Sequence, residues 1–440
     1  RLTIGNPDLD PEKSDNFIKK DFCIGCGACK FACPQKCVKL QEDVLGRYEM
    51  VIAKEQCLEC GICEKVCPIY ENILIPKQAQ YNTITGNYLN CYKGYDDRYR
   101  KTSASGGLLT SFLYGLLKGD IVDTVVCLKE NSDSTQFYKY SFVSEPSRLI
   151  QNSKSAYYPV EMSEMIEYIL KNDARYAIVV LPCQAKAIRI LQKRYKKLEE
   201  RILVLAGLVC GGMPGKGLVE YISNFYGHSL DEVKRITFRE KEKNVTNSNY
   251  SIKLQFTNNE VIRSHFRQEE FGFAYLNKLF HYKACNLCND IFAEYADIVF
   301  MDAWLQEHRY DELGTSICIV RNENIAEFTN NYFTQIENVK VVTIDSAIQA
   351  QSNVGLVLRK KKQNIFKYKF YASKGFRIPY SISNMQFSLK EITKFSIRGR
   401  QEYAIQNYAE KQWVLFKQKK ISIEDFYKKM HRYVKWIKII

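Results

Sequence analysis

The chain runs to 440 residues, enough for two or three domains of ~150 residues with real cores. Hydrophobic residues make up 46% and charged residues 26%, which excludes a disordered chain. The longest apolar stretch, Ile202 to Cys210, falls well short of the ~18 residues of a membrane span. The formal charge of +15 is concentrated: residues 351–440 carry 21 basic and 5 acidic residues, so any argument from charge belongs to the C-terminal segment.

Of 16 cysteines, nine fall between residues 23 and 67. The polar, acidic N-terminal stretch carries no apolar leader, so the expectation is a reducing cytoplasm. There, dense and regularly spaced cysteines read as metal ligands and not as disulfides. Cys23-x2-Cys26-x2-Cys29-x3-Cys33-Pro34 and Cys57-x2-Cys60-x2-Cys63-x3-Cys67-Pro68 are two copies of the bacterial two-cluster ferredoxin run. Three thiolates at steps of three wrap one cubane, and the fourth points to its neighbour. One 4Fe–4S cluster would take Cys23, Cys26, Cys29 and Cys67; the other would take Cys57, Cys60, Cys63 and Cys33. Zinc is the alternative, but it favours ligands in pairs. Cys37 lies outside the pattern and reads as a small buried hydrophobe. Two such clusters conduct single electrons, so the rest of the chain must supply or consume them.

A connector at about 70–90 leads to Arg100-Lys-Thr-Ser103-Ala-Ser105-Gly106-Gly107 and then an apolar helical pattern from Leu108 to Leu117. The small residues before this helix suit a phosphate at its N-terminus; the alternative is an ordinary helix capped by Thr102 or Ser103. Strands are expected at 122–128, 177–181, 202–209, 236–238, 252–256, 298–301 and 316–320. Helices are expected at 160–171, 184–194 and 215–226. The fold class is therefore α/β: an N-terminal ferredoxin module (1–75), a central α/β domain (76–345) and a basic helical extension (346–440).

Cys183 and Cys210 each follow an apolar strand pattern. In open α/β sheets, residues just past strand carboxyl ends converge on one crevice. With the pair Cys285 and Cys288 they make four thiols, enough for a third cubane. The alternative is a zinc pair at Cys285 and Cys288, with Cys183 and Cys210 inert in the core.

The ferredoxin module followed by Ser103-Ala-Ser105-Gly106-Gly107, Leu181-Pro-Cys183-Gln184, Cys210-Gly211 and Cys285-x2-Cys288-x-Asp290 resembles the family of coenzyme F420 hydrogenase/dehydrogenase beta subunits over about 20–325. The resemblance implies an iron–sulfur flavoprotein with FAD beside a third 4Fe–4S cluster, held by Cys183, Cys210, Cys285 and Cys288. It places Ser103, Ser105, Gly106, Gly107, Lys154 and Ser155 near the flavin, and Asp290 and Asp302 at acidic positions. Met301 stands where the family usually has glycine, and would crowd a cofactor if it faced the pocket.

Flavin beside clusters converts between two-electron and one-electron transfer. The expected activity is reduction or oxidation of a small organic substrate, or of a deazaflavin-type cofactor, with ferredoxin or another low-potential carrier as partner. Lys154, His281 and Asp302 are the candidates for proton chemistry. A non-catalytic electron-relay component of a larger redox complex is the alternative.

In the C-terminal segment, Arg359-Lys-Lys-Lys362 is a charge run. Phe426, Met430, Tyr433 and Ile437 form an apolar helical stripe beside Lys428, Lys429, Arg432, Lys435 and Lys438. Such a helix can lie on an anionic membrane at the inner face, dock an acidic electron carrier, or simply cover the core. Nucleic acid is not expected, because no recognised binding module accompanies the charge.

Overall fold

The computed structural model describes residues 2–4, 22–71, 73–131, 135–373 and 385–439. The period-two apolar patterns of the middle segment build one sheet of eight strands. In chain order they are β1 Asn90–Gly94, β2 Thr124–Glu130, β3 Tyr138–Val143, β4 Tyr176–Val180, β5 Ile202–Leu208, β6 Ile298–Asp302, β7 Ser316–Val320 and β8 Val339–Val341. Across the sheet they lie in the order β8-β1-β7-β6-β5-β4-β2-β3. The four strands β2, β4, β5 and β6 are parallel, and the flanking pairs are antiparallel.

Parallel central strands put their carboxyl ends on one edge, which brings Cys183, Cys210 and Asp302 toward the same crevice. Alternation along each strand feeds two cores. Ile178, Val180, Leu205, Val299 and Met301 face one core, which also contains Cys26, Cys29 and Cys33 of the ferredoxin module. Ala177, Val204, Ala206, Ile298 and Phe300 face the other, with Phe112 of helix α1 Leu108–Lys118. The expected strands leave out β1, β3 and β8; Asn90-Cys-Tyr-Lys-Gly94 is half polar, Tyr138–Val143 places Lys139 and Ser141 between its aromatic residues, and Val339–Val341 is only three residues long.

Helix α1 begins at Gly107, in the left-handed region at φ 82, with no side-chain cap. Neither Thr102 nor Ser103 caps it. Ser103 lies four residues too early, and its hydroxyl contacts that of Thr110 at 3.3 Å. Only glycine takes that backbone turn cheaply.

A three-stranded antiparallel sheet (Val233–Glu240, Ser251–Phe256, Val261–His265) sits beside the main one. A helical hairpin, α2 Leu389–Lys417 and α3 Ile423–Ile439, closes over a further core. Trp413, Phe426 and Met430 are fully buried there, with Phe426 packed on Tyr221 at 5.4 Å and Trp413 on Phe280 at 4.9 Å. Each such side chain contributes roughly 1.5–3 kcal/mol by burial. The apolar stripe that could have met a membrane is therefore turned into the protein's own core, and Tyr433 stacks on Tyr408 at 4.0 Å. Among the described residues, no helix is long and apolar enough to cross a membrane.

Candidate metal centre and adjoining cleft

The two N-terminal motifs repeat in backbone as well as in spacing. Gly25 and Glu59 hold equivalent places at φ 63 and φ 51, and Gly27 and Gly61 at φ 82 and φ 68. Short helices, Ala28–Ala32 and Ile62–Lys65, then start at equivalent points. Backbone N–H groups of Gly25 and Glu59 donate to the sulfurs of Cys23 (3.3 Å) and Cys57 (3.4 Å). Gly27 is required for space as well: a Cβ there would lie 3.1 Å from the backbone nitrogen of Ser163.

Burial pushes the Cys26 thiol well above its ordinary value, and Cys29, Cys67 and Cys23 push it further. Cys29 responds likewise to burial and then to Cys23 and Cys67. Cys26 and Cys29 are thus within electrostatic reach of Cys23 and Cys67, and Cys63 of the second motif also reaches Cys29. Thiols in that state are costly as bare thiolates and become stable anions when iron offsets the charge. The second set is nearer the surface, with Cys60 exposed. Cys37 is buried as expected. Its sulfur lies 3.4 Å from that of Cys33, and burial and Cys33 push its pKa to about 11.

Cys183 stands in the first turn of a helix spanning Pro182–Gln192, directly after β4. Cys210 follows β5, its N–H donating to the Ile291 carbonyl at 3.3 Å. Cys285 lies in a short turn of helix, Lys283–Asn286, and accepts from the Met213 N–H at 3.4 Å. The Cys288 thiol reaches the Asp290 carbonyl at 3.3 Å. Burial and then Cys210, Cys288, Cys285 and Cys26 push Cys183 well above its ordinary value. Burial pushes Cys210 to about 11, with Cys285 and Cys288 adding to it. All four thiols lie within electrostatic reach of one another. Among the described residues no group of three or more His, Cys, Asp or Glu side chains converges as ligands of a single metal ion. A cubane instead asks for thiols spread around it.

Asp290 caps the next turn through the Glu294 N–H at 3.1 Å, and burial beside Glu294 raises its pKa to about 6. His281 is packed in the same region, its ring 4.7 Å from that of Tyr275 and its Nδ1 without a partner. Burial and the nearby Lys278, Lys360 and Arg359 hold it well below the usual histidine range, so it is neutral.

At the end of β6 a small cleft of about 20 Å³ is lined by Ser105, Arg239, Lys241, Glu242, Tyr250, Asp302, Trp304 and Glu312, among others. Arg239 clamps Asp302 through two bonds of 2.7 and 3.0 Å, and its guanidinium lies 4.5 Å from the Tyr250 ring and 5.3 Å from that of Trp304. Lys241 donates to the carbonyls of Ser105 (2.9 Å) and Leu313 (2.6 Å). Burial, with Arg239 and Arg100 alongside, lowers its pKa to about 7. Two cations, Arg239 and Lys241, thus share the cleft lining with three carboxylates, Glu242, Asp302 and Glu312.

Of the residues assigned to a cofactor from sequence, Ser105 lines this cleft. The backbone N–H groups of Ser103 and Gly106 are already used, by the Tyr99 carbonyl and by Ser316 Oγ, each at 3.0 Å. They are not available as a phosphate nest. Gly106 is needed for packing, since a Cβ would meet the Gly94 carbonyl oxygen at 2.7 Å. Gly107 turns the chain into α1. Lys154 is exposed and pairs with Glu240 at 3.6 Å; Ser155 is half-buried beside it, and neither lines the cleft. Met301 faces the core on the opposite side of the sheet, which leaves Asp302 to face the cleft. Sequence reasoning missed Arg239, Lys241, Tyr250 and Trp304. The charged run Arg239-Glu-Lys-Glu242 at the end of a strand was the available signal.

Two tyrosines join cleft and cysteines. Tyr157 meets Tyr250 of the cleft, hydroxyl to hydroxyl, at 3.3 Å, and its ring lies 5.2 Å from that of Tyr275. Tyr275 donates to the Gly212 carbonyl at 3.1 Å, and the charge of Cys210 and Cys285 reaches it.

The family models for the coenzyme F420 hydrogenase/dehydrogenase beta subunit match this chain over 91–167 (N-terminal part) and 173–346 (C-terminal part). The chain belongs to this family of coenzyme F420 hydrogenase/dehydrogenase beta subunits. A 4Fe–4S dicluster domain matches residues 16–75, so this family member is an iron–sulfur, electron-transfer protein that binds 4Fe–4S clusters. An uncharacterised protein of Methanocaldococcus jannaschii is 24% identical over 60% of this chain and 91% of its own length. One component of the F420H2 dehydrogenase of Methanosarcina mazei is 26% identical, over 46% of this chain and 56% of that protein. The beta subunit of F420-dependent formate dehydrogenase 1 of Methanococcus maripaludis is 33% identical, over 28% and 31%. The chain thus spans only part of these two dehydrogenase components. A chain of the F420-reducing nickel–iron hydrogenase complex of Methanosarcina barkeri shares the fold, with a TM-score of 0.51 at 15% identity, covering 68% of this chain and 99% of that one. Residues 347–440 lie beyond the family models.

Proposed function

We propose that the chain is an iron–sulfur flavoprotein oxidoreductase. In this reading it passes electrons between ferredoxin-type clusters and FAD, to reduce or oxidise a small organic substrate or a deazaflavin-type cofactor. Cys23, Cys26, Cys29 and Cys67 hold one 4Fe–4S cluster; Cys57, Cys60, Cys63 and Cys33 hold the second; Cys183, Cys210, Cys285 and Cys288 hold the third. The observation that carries the reading is the Tyr157–Tyr275 contact, which links the cleft to the third set of thiols.

The flavin supplies the exchange between paired and single electrons. The chain's own residues bind and orient it. Arg239 attracts its phosphates, Trp304 and Tyr250 offer apolar faces, and Asp302 positions the Arg239 guanidinium. Asp302 is committed to that ion pair and His281 is neutral and packed, so neither is assigned a proton-transfer role. The named relatives are dehydrogenase components, which favours assembly with partner proteins as well as a soluble low-potential carrier such as ferredoxin.

Anaerobically purified protein tests this. Three cubanes give about twelve irons per chain together with one flavin. Eight irons without flavin would reduce the chain to a relay component. Dithionite-driven turnover of a deazaflavin or another oxidised acceptor by the isolated chain separates an enzyme from a relay.

A further inference from the structure

The basic run Arg359–Lys362 reads from sequence as a surface feature, yet the structure turns its centre inward. Residues Leu358–Lys362 form a single π-helical turn, and Lys360 is 5% exposed. The segment around it is tied to the third set of cysteines from outside the family region. Asn364 donates to the Cys288 carbonyl at 2.6 Å, and Tyr368 to the Leu287 carbonyl at 2.7 Å. Leu356 packs beside Gly211, next to Cys210, at 3.8 Å from where a Cβ would stand.

The neighbouring lysine, Lys361, has an ordinary partner, Glu294 at 2.7 Å. Lys360 differs. Its buried side chain reaches the Cys288 side chain, with Cys210 and Cys285 within electrostatic reach. A buried ammonium is costly unless an anion faces it, and a cubane held by these cysteines would supply that anion.

We propose that Lys360 tunes the third cluster: its fixed positive charge stabilises the reduced form and raises that cluster's reduction potential above what the four cysteines alone would give. This rests on reading Cys183, Cys210, Cys285 and Cys288 as one cluster. One electron, from the ferredoxin module in the chain or from dithionite in a cuvette, makes that centre one unit more negative. The reduced form therefore gains more than the oxidised form from an adjacent cation. The C-terminal segment thereby sets how readily electrons cross between the ferredoxin module and the cleft. Lys360 acts through the cluster, as a positioning charge and not as a catalytic residue.

The test is an EPR-monitored redox titration of the full chain, anaerobic and iron-loaded, as wild type, Lys360→Met and Lys360→Arg. The third cluster is identified by the signal that disappears in Cys183→Ala. In Lys360→Met its reduced-to-oxidised ratio at the wild-type midpoint is expected to fall about tenfold, equivalent to about 59 mV for a one-electron couple. The other two clusters stay where they were, and Lys360→Arg stays near wild type. If Lys360→Met sheds iron, Lys360→Gln takes its place with the same criterion. An unmoved third potential at full iron content overturns the inference, as does an equal shift in Lys360→Arg. A wild type with only eight irons overturns the cluster reading itself, which is a separate outcome.

Discussion

The Cys183 thiol, at the start of the helix after β4, lies within electrostatic reach of Cys26 in the ferredoxin module. The contact is built from both sides. The Met162 N–H donates to the Cys26 carbonyl at 2.9 Å, and Gln184, next to Cys183, donates to Tyr140 at 3.2 Å. Burial raises the Tyr140 hydroxyl pKa, and Glu161, Cys26 and Cys183 add to it. The module is thus docked onto the third set of thiols and not tethered loosely beside it.

If both sets carry clusters, their unpaired spins interact when both are reduced. Cys183→Ala is expected to remove about four irons of twelve. The remaining EPR spectrum should lose only the broadening that involves the third cluster, while the two ferredoxin-type clusters keep their signals and their coupling to each other. Loss of all iron, or an unchanged iron count, would contradict this arrangement.

Arg239 gives a second expectation. Its guanidinium is held by Asp302 at 2.7 Å, and the Arg239 side chain is only 8% exposed. Arg239→Met should leave Asp302 uncompensated and destabilise the fold by roughly 3–5 kcal/mol. It should also lower the flavin-to-protein ratio after gel filtration at least tenfold, with iron content unchanged. Arg239→Lys should not rescue flavin retention, because a point charge cannot reproduce the two-bond clamp. Full flavin occupancy in Arg239→Met would remove the cleft as the cofactor site.

The cysteine spacing made the iron–sulfur chemistry legible, because cubane ligation is written in local steps of three residues. The parallel strands were legible too, and so was an antiparallel neighbour: the pattern at 316–320 coincides with β7 Ser316–Val320. What stayed hidden was long-range. Gly106 looks like a phosphate-loop glycine from its neighbours, but its role is set by Gly94 of β1 and by Ser316 of β7, 210 residues away along the chain. Lys360 looks like part of a solvated charge run, and only the docking of its π-helical turn on Cys288 reveals it as buried. The stripe of Phe426 and Met430 is visible in sequence, but what it covers is not.

The extension is anchored by a buried ion cluster. Glu402 pairs with Lys278 at 3.0 Å and with Lys367 at 2.6 Å, and Lys278 also donates to Asn286 beside Cys285. Burial alone would raise the Glu402 carboxyl, yet Lys278 and Lys367 hold it well below the usual carboxylate range. A carboxyl with a depressed folded pKa contributes stability above its unfolded value, ~4.3, and loses it as pH falls through the folded one. Urea midpoints should therefore drop on acidification below about pH 4.5 in wild type, with a smaller change in Glu402→Gln. At neutral pH that variant should lose roughly 3–5 kcal/mol, because two buried ammonium groups remain unpaired. An equal acid response in both proteins would show that another carboxylate controls the transition.

Met301 provides the sharpest contrast between crowding and packing. It occupies the position before Asp302 in β6, and adjacent strand residues face opposite sides of a sheet. Asp302 faces the cleft, so Met301 faces the core, where it is 6% exposed beside Val299 and Ile317. Restoring glycine there with Met301→Gly would open no extra room for a cofactor. It would leave a cavity and add backbone freedom, at a cost of roughly 2–5 kcal/mol. The expected result is a lower thermal midpoint with the flavin-to-protein ratio of the folded fraction unchanged. A raised flavin affinity in Met301→Gly would mean that the side chain reaches the cleft after all, and would place the cofactor on the other side of β6.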